Sequence, residues 1–306
     1  MNDESTAYSV DKRWLRRSFD RASTTYDASA VLQTEVRNLL LQRLDLTDLS
    51  PRLVVDAGAG TGHAGRALKR RYPSAQVLAV DSSFGMLNAA GRQQSWLRPF
   101  ARLCADAERL PLPDGSVDLI VSNFMLQWSD LDVALAEFRR VLAPRGFLTF
   151  TTLGPDTLRE LRAAWARAGS EHADYHTRVG HFLDMHDIGD ALVRAGFAAP
   201  VLDVERYTLT YTDVRYLAAD LKAVGARNAT IGRLKGLTGP RKFAAMKAAY
   251  EAFRIDGRIP ATYEVVFGQA WGPAAEVRRA DEDSIHVSLD ELKRQLRTRR
   301  NTRTGS

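Results

Sequence analysis

Apolar positions along this chain follow two alternating periods. Short unbroken runs, LVVD (53–56), QVLAVD (76–81), VDLIVSN (117–123) and FLTFTTL (147–153), have the length and composition of strands buried on both faces. PFARLCAD (99–106) reads as one more strand. Between these runs the spacing turns helical, at His63–Arg71, around Met86–Ala90 and at 131–142, where Ala143-Pro144-Arg145-Gly146 stops the pattern. A long helix is expected over 11–49, since Val31, Leu32, Val36, Leu39, Leu40 and Leu44 recur on one face before Ser50-Pro51. Strands that alternate with helices imply parallel βαβ units and a doubly wound sheet.

After residue 154 the rhythm changes. A helix is expected to start near Pro155 and another to cover 186–197, with strands at 201–211 and 262–271. The stretch 212–261 between those strands reads as helical and basic. From Tyr211 to Arg258 it carries ten lysines and arginines against four acids, an excess equal to the net charge of +6 for all 306 residues. The remainder is balanced, so the basic character belongs to one insertion. A composition of 45% hydrophobic and 26% charged residues excludes a disordered or fibrous chain.

The single cysteine, Cys104, excludes a disulfide within the chain and is expected to be a small buried apolar side chain. His172, His176, His181 and His186 lack metal-ligand spacing, and no metal is expected. No apolar run reaches the ~20 residues that cross a bilayer, and MNDESTAYSV is not a secretory leader. A cytoplasmic protein without a membrane or nucleic-acid partner is expected; no basic stripe interleaved with aromatics is present.

The chemistry is concentrated at the ends of the strands. Asp56 precedes Gly58-Ala59-Gly60-Thr61-Gly62, and Asp81 closes the second strand 25 residues later. Glycines let backbone approach a ligand, and an acid after the second strand can accept from ribose hydroxyls. Gly60 to Gly65 matches the dinucleotide pattern G-x-G-x-x-G, so a nicotinamide cofactor fits this much. A carboxylate ahead of the loop suits a cationic ligand better than a pyrophosphate. S-adenosylmethionine carries an ammonium and a sulfonium and no phosphate. Asp106-Ala107 after the third strand, Asn123 after the fourth and Met86 extend the set. Each has a plainer use as well: Asp56 as a turn cap, Asp81 as a helix cap, Met86 as core, Asp106 and Asn123 as loop residues. The ordered set Asp56, Gly58, Gly60, Asp81, Asp106 and Asn123 resembles class I methyltransferases, which implies a Rossmann-like seven-stranded α/β sheet.

Flanking motifs resemble a narrower family. They are Ser18-Phe19-Asp20-Arg21-Ala22, Tyr26-Asp27, Asn123 to Trp128, Pro155 to Arg162, Phe182 to Gly189, Leu221 to Asn228 and Ile259 to Val265. Together, over about 11–272, they are similar to the malonyl-acyl-carrier-protein O-methyltransferases of biotin biosynthesis. Ala59 departs from the Cys or Ser usual there. The resemblance implies a helical N-terminal lid over 1–50, a cofactor-binding domain over 51–211, a basic helical insertion over 212–261, the last strand within 262–275 and a tail over 276–306. It implies methyl transfer from S-adenosylmethionine to the free carboxylate of malonyl-acyl carrier protein or malonyl-CoA. Tyr26 and Gln33, seven residues apart, would cover the methionine end of the cofactor, with Tyr26 positioning the reactants. Trp128 would be core or pocket wall. A carboxylate with a pKa of about 4 is already ionised, so no general base is expected. Arg159, Lys222 and Arg227 are the candidates to hold it, and the basic insertion is expected to meet the acidic carrier. Two rivals share parts of the pattern: a methyltransferase of quinones or other small acids, and a respiratory-complex assembly factor of arginine-hydroxylase type.

Overall fold

A computed structural model describes residues 10–169, 179–180, 182–226, 228–231 and 238–274. Seven strands form one sheet in the order β3-β2-β1-β4-β5-β7-β6. They are β1 Leu53–Ala57, β2 Gln76–Asp81, β3 Ala101–Cys104, β4 Val117–Asn123, β5 Leu142–Leu153, β6 Ala198–Tyr211 and β7 Ile259–Trp271. The ladders from β3 through β5 are parallel, and β7 runs antiparallel to both β5 and β6. Each face has its own core. Val54, Val77, Leu119 and Phe147 pack on one side, and Val55, Val80, Ile120 and Leu148 on the other. That two-sided burial is why the central strands read as unbroken apolar runs.

The helices between them are α4 His63–Arg71, α5 Phe84–Gln93, α6 Leu131–Val141, α7 Arg159–Ala168 and α8 Met185–Arg194. Strand β3 is shorter than 99–106 and lies on the sheet edge. Cys104, at its end, is exposed and not buried as expected, because β3 covers little of its own surface.

The expected single helix over 11–49 is three: α1 Lys12–Ala22, α2 Tyr26–Ser29 and α3 Val31–Arg43. Hydroxyl side chains cause the first break. Ser23 Oγ donates to the Asp20 carbonyl (2.8 Å), and Thr25 Oγ1 donates to the carbonyls of Ala22 (3.3 Å) and Ala223 (3.0 Å). Such bonds compete with the helical ladder.

The helix expected from Pro155 starts four residues later, at Arg159. Residues 154–158 are instead stitched to β7. The Gly154 amide donates to the Glu264 carbonyl (2.9 Å), the Asp156 amide to Glu264 Oε2 (2.8 Å), and the Leu158 amide to the Thr262 carbonyl (2.6 Å). Buried Glu160 accepts from the Thr262 amide (3.0 Å) and hydroxyl (2.5 Å). Removing it leaves those donors buried without a partner, so Glu160→Ala is expected to cost about 1–3 kcal/mol in urea unfolding. An unchanged midpoint would contradict the stitch.

Within the insertion, α9 Val214–Ala223 and α10 Pro240–Tyr250 are helical. At least four of its ten cations are engaged within it or with the adjoining strand. Arg215 and Lys247 share Asp213, Arg254 pairs with Glu251, and Arg258 bonds Thr210. No described helix is long and apolar enough to cross a membrane.

Candidate active site

The C-terminal ends of β1, β2, β3 and β4 converge on one cleft. Gly58, Gly60, Asp81, Met86, Asp106, Ala107, Asn123 and Tyr26 all line it. The loop after β1 turns through three glycines at positive φ. At Gly58 (φ 76°) the amide donates to the Val80 carbonyl (2.8 Å), and a Cβ would lie 2.5 Å from Met125 Cβ. Gly58→Ala is therefore expected to lose about 1–3 kcal/mol of stability and to weaken cofactor binding together. Differential scanning fluorimetry with and without cofactor reads both, and a Tm matching the native chain would contradict the geometry. A Cβ on Gly60 meets nothing within 4 Å, so the backbone there faces open space.

Asp81 is the best organised acid. It accepts from the Gly60 amide (2.8 Å) and the Ser83 amide (2.8 Å), and burial pushes its carboxyl above the usual range. Asp56 is 2% exposed, and its Oδ2 has no hydrogen-bond partner. Burial pushes its pKa up to about 7; Asp81 adds to the rise, while the Gly65 amide and Arg37 oppose it. Asp56 faces a small adjoining pocket that also holds Gln33, Arg37, Thr61, His63 and Tyr26. Arg37 was not anticipated from the sequence, where it is one arginine of an amphipathic helix. It is half buried, and burial lowers its pKa while Tyr26 and Asp56 oppose that. A buried carboxylate with one unpartnered oxygen and a half-buried guanidinium in one pocket suit a zwitterionic amino acid.

Tyr26 and Gln33 do not lie on one continuous helix, since Ala30 separates α2 from α3, yet both line this pocket. Asn123 braces the site: its Nδ2 donates to the Gln33 carbonyl (3.3 Å), and its Oδ1 accepts from Thr151 (2.9 Å). Asp106 Oδ2 accepts from Lys12 (2.7 Å), and its Oδ1 accepts from the Glu108 amide (3.1 Å).

The N-terminal helices are fastened over the cleft at three strand ends. Lys12 of α1 reaches Asp106 and Glu108 after β3. Asp20 accepts from Ser83 Oγ (2.6 Å) and the Gly85 amide (2.9 Å) after β2. Asp27 accepts from Thr61 Oγ1 (2.6 Å) and Gln93 Nε2 (2.5 Å) and lies 3.3 Å from His63 Nε2. Burial opposes ionisation of Asp27, but these partners together hold its carboxyl below the ordinary range. The motif acids Asp20 and Asp27 thus fasten the roof.

A second, larger cavity of about 270 Å³ adjoins the cleft, and Phe19, Tyr26, Phe124, Trp128 and Ser129 line both. Its wall is mostly apolar, with Leu32, Leu126, Leu158, Leu161, Leu209 and Leu221 prominent. Trp128 is pocket wall, edge-on to Phe19 at 5.7 Å. Two wall residues, Phe124 (φ 54°) and Leu158 (φ 55°), hold left-handed backbone that disfavours large side chains. Gln127 Nε2 secures the first by donating to the Phe124 carbonyl (2.7 Å). No lysine or arginine lines this cavity among the described residues. Arg159 has a 58% exposed side chain beside Glu160, and Lys222 is exposed; neither reaches the wall. Arg227 lies outside the described residues, as do His172, His176 and His181. The described His186 is exposed and bonds Asp184 (2.7 Å).

Residues 55–150 match the family model described as methyltransferase domain. A malonyl-acyl-carrier-protein O-methyltransferase from Methylovorus sp. is 54% identical over 90% of this chain and 94% of its own length. One from Laribacter hongkongensis is 52% identical over 92% of this chain and 96% of its own. Among solved structures, the YcgJ protein from Bacillus subtilis superposes with a TM-score of 0.53 at 17% identity, over 76% of this chain and 97% of that one. At that identity the likeness shows a common fold.

Proposed function

The chain belongs to the malonyl-acyl-carrier-protein O-methyltransferase family, and from that premise we propose that it esterifies the free carboxylate of a malonyl thioester on acyl carrier protein, with S-adenosylmethionine as methyl donor. The ester serves pimeloyl synthesis in the biotin pathway. One observation carries this reading: a cleft with acids at its strand ends opens, past Tyr26 and Phe124, into an apolar cavity.

The donor-binding residues are Asp81 for the ribose hydroxyls, Asp106 and Ala107 for the adenine edge, Met86 for its face, and Gly58 and Gly60 for close approach. Asp56 with Gln33 and Arg37 takes the amino-acid end, and Asn123 braces that end. Bound there, S-adenosylmethionine supplies an electrophilic methyl group. The chain's own task is to align and to dry the carboxylate that attacks it. Proximity of this kind contributes about 7–11 kcal/mol, and the apolar wall removes water from the nucleophile.

Tyr26 acts as a positioning donor. Burial first, then Asp81 and Asp27, raises its phenol well above the ordinary range, so it keeps its proton and is no base. The rate at saturating donor is accordingly expected to be flat from about pH 6 to 9, since the malonyl carboxylate titrates near 4. A bell-shaped profile of kcat would contradict chemistry without a base. Of the three expected cations, Arg227 is the one we assign to the malonyl carboxylate, because Arg159 and Lys222 do not line the cavity. Transfer of labelled methyl to a base-labile position on malonyl-acyl carrier protein tests the reading as a whole.

The roof helices and the insertion together serve as lids: α1 and α2 over the donor, and residues 224–226 and 228–230 over the acceptor. The Asp11 amide donates to the Ala229 carbonyl (2.8 Å), and Ser18 Oγ donates to the Gly225 carbonyl (3.3 Å), so the two lids are joined.

A further inference from the structure

Among the described residues, helix α1 leaves more positive charge without an acidic partner than the insertion does. It holds Lys12, Arg13, Arg16, Arg17 and Arg21 against one acid, Asp20. Lys12 is engaged by Asp106 and Glu108, and Asp20 is fastened to Ser83 and Gly85. Arg13, Arg16 and Arg17 are exposed, with no acidic partner among the described residues. Their spacing of three and four residues sets them on one helix face. The opposite side of α1 is anchored by buried Leu15, Ser18 and Ala22.

That face borders the active site. Arg16 lines the donor cleft, and Phe19, one turn on, lines both cleft and acceptor cavity. Where Asp20 of α1 meets the Gly85 amide, the neighbouring Phe84 is 65% exposed and supplies an apolar group at the foot of the helix. Specific interfaces combine such an anchor with complementary charge. In the insertion, by contrast, Arg215, Lys247 and Arg254 already have acidic partners, and Arg258 is held by Thr210.

We propose that the arginine face of α1 is the docking surface for the acidic acyl carrier protein, set so that the tethered thioester enters beside Phe19. This displaces the insertion from the role its net charge suggested. It rests on the carrier-protein reading above, and the test separates the two by using carrier without a malonyl group.

Labelled holo-acyl carrier protein is titrated with the full-length protein at low salt and followed by fluorescence anisotropy. Arg13→Glu/Arg17→Glu is expected to raise the Kd for the carrier by about tenfold or more. The Kd for S-adenosylmethionine should stay within about twofold, because neither residue lines the cleft. Lys222→Glu/Arg241→Glu, on the insertion, should shift carrier binding by less than about threefold. Carrier affinity within threefold of native in the α1 pair, or a larger loss in the insertion pair, overturns the proposal. Should the glutamate pair unfold or also weaken the donor, Arg13→Ala/Arg17→Ala decides by the same comparison. Methyl transfer by the native chain to malonyl carrier stands as the independent test of the function.

Discussion

Replacing Asp81 with alanine is expected to weaken S-adenosylmethionine binding at least about a hundredfold. Two losses combine. The ribose hydroxyls lose a charged acceptor, and hydrogen bonds to a charged group contribute about 1.5–3 kcal/mol each. The Gly60 and Ser83 amides also lose the carboxylate that orients the loop after β1 and the start of α5. Together about 3 kcal/mol or more corresponds to a factor of about a hundred in Kd. The fold itself should tolerate the change, because burial already disfavours the Asp81 charge. Calorimetric titration reads the affinity and circular dichroism the fold. Asp81→Asn, which keeps one acceptor oxygen, should fall between native and alanine. Donor affinity within threefold of native in the alanine variant would remove Asp81 from the site.

Donor binding should also lose about tenfold in affinity for each pH unit below 7. The cause is Asp56. Burial holds its pKa at about 7 without ligand, so below that value the carboxyl is neutral and cannot receive an ammonium group. Binding at pH 6 should therefore release about one proton, readable as a buffer-dependent heat in calorimetry. Asp56→Asn should flatten the pH dependence and weaken binding at pH 8. For stability the sign is reversed. The folded pKa lies above the unfolded value, so the folded chain keeps a proton that the unfolded chain has given up. Through this group the ligand-free protein loses stability as pH rises from about 4 to 7, then levels off. Above pH 7 the native chain should be less stable than Asp56→Asn without ligand, and the donor should narrow the gap. An affinity independent of pH between 6 and 8 would contradict this role.

The sheet was legible because its strands are buried on both faces and their acids stand at the strand ends. Asp56, Asp81, Asp106 and Asn123 meet in space because parallel strands bring their C-terminal ends to one edge. The breaks in the N-terminal helix were not legible. Val31 to Leu44 carried a strong helical period, whereas the Thr25 hydroxyl also bonds Ala223, a partner that only the fold supplies. The start at Pro155 failed for the same reason, since Glu264 and Thr262 lie more than a hundred residues away. Counting charge located a basic insertion but could not show which of its cations Asp213 and Glu251 hold, namely Arg215, Lys247 and Arg254. Arg159 looked like a ligand within a shared motif, yet the same motif uses Thr157 and Glu160 to stitch α7 to β7. Arg37 left no signal beyond its helical position.

The central claim concerns one carboxylate, and one measurement addresses it directly. Malonyl-acyl carrier protein is incubated with the native chain and S-adenosylmethionine, and the carrier is then examined by intact-protein mass spectrometry. The account predicts a carrier heavier by one methylene unit, with acetyl-acyl carrier protein unchanged. An unmodified malonyl carrier, or equal methylation of the acetyl form, would contradict it.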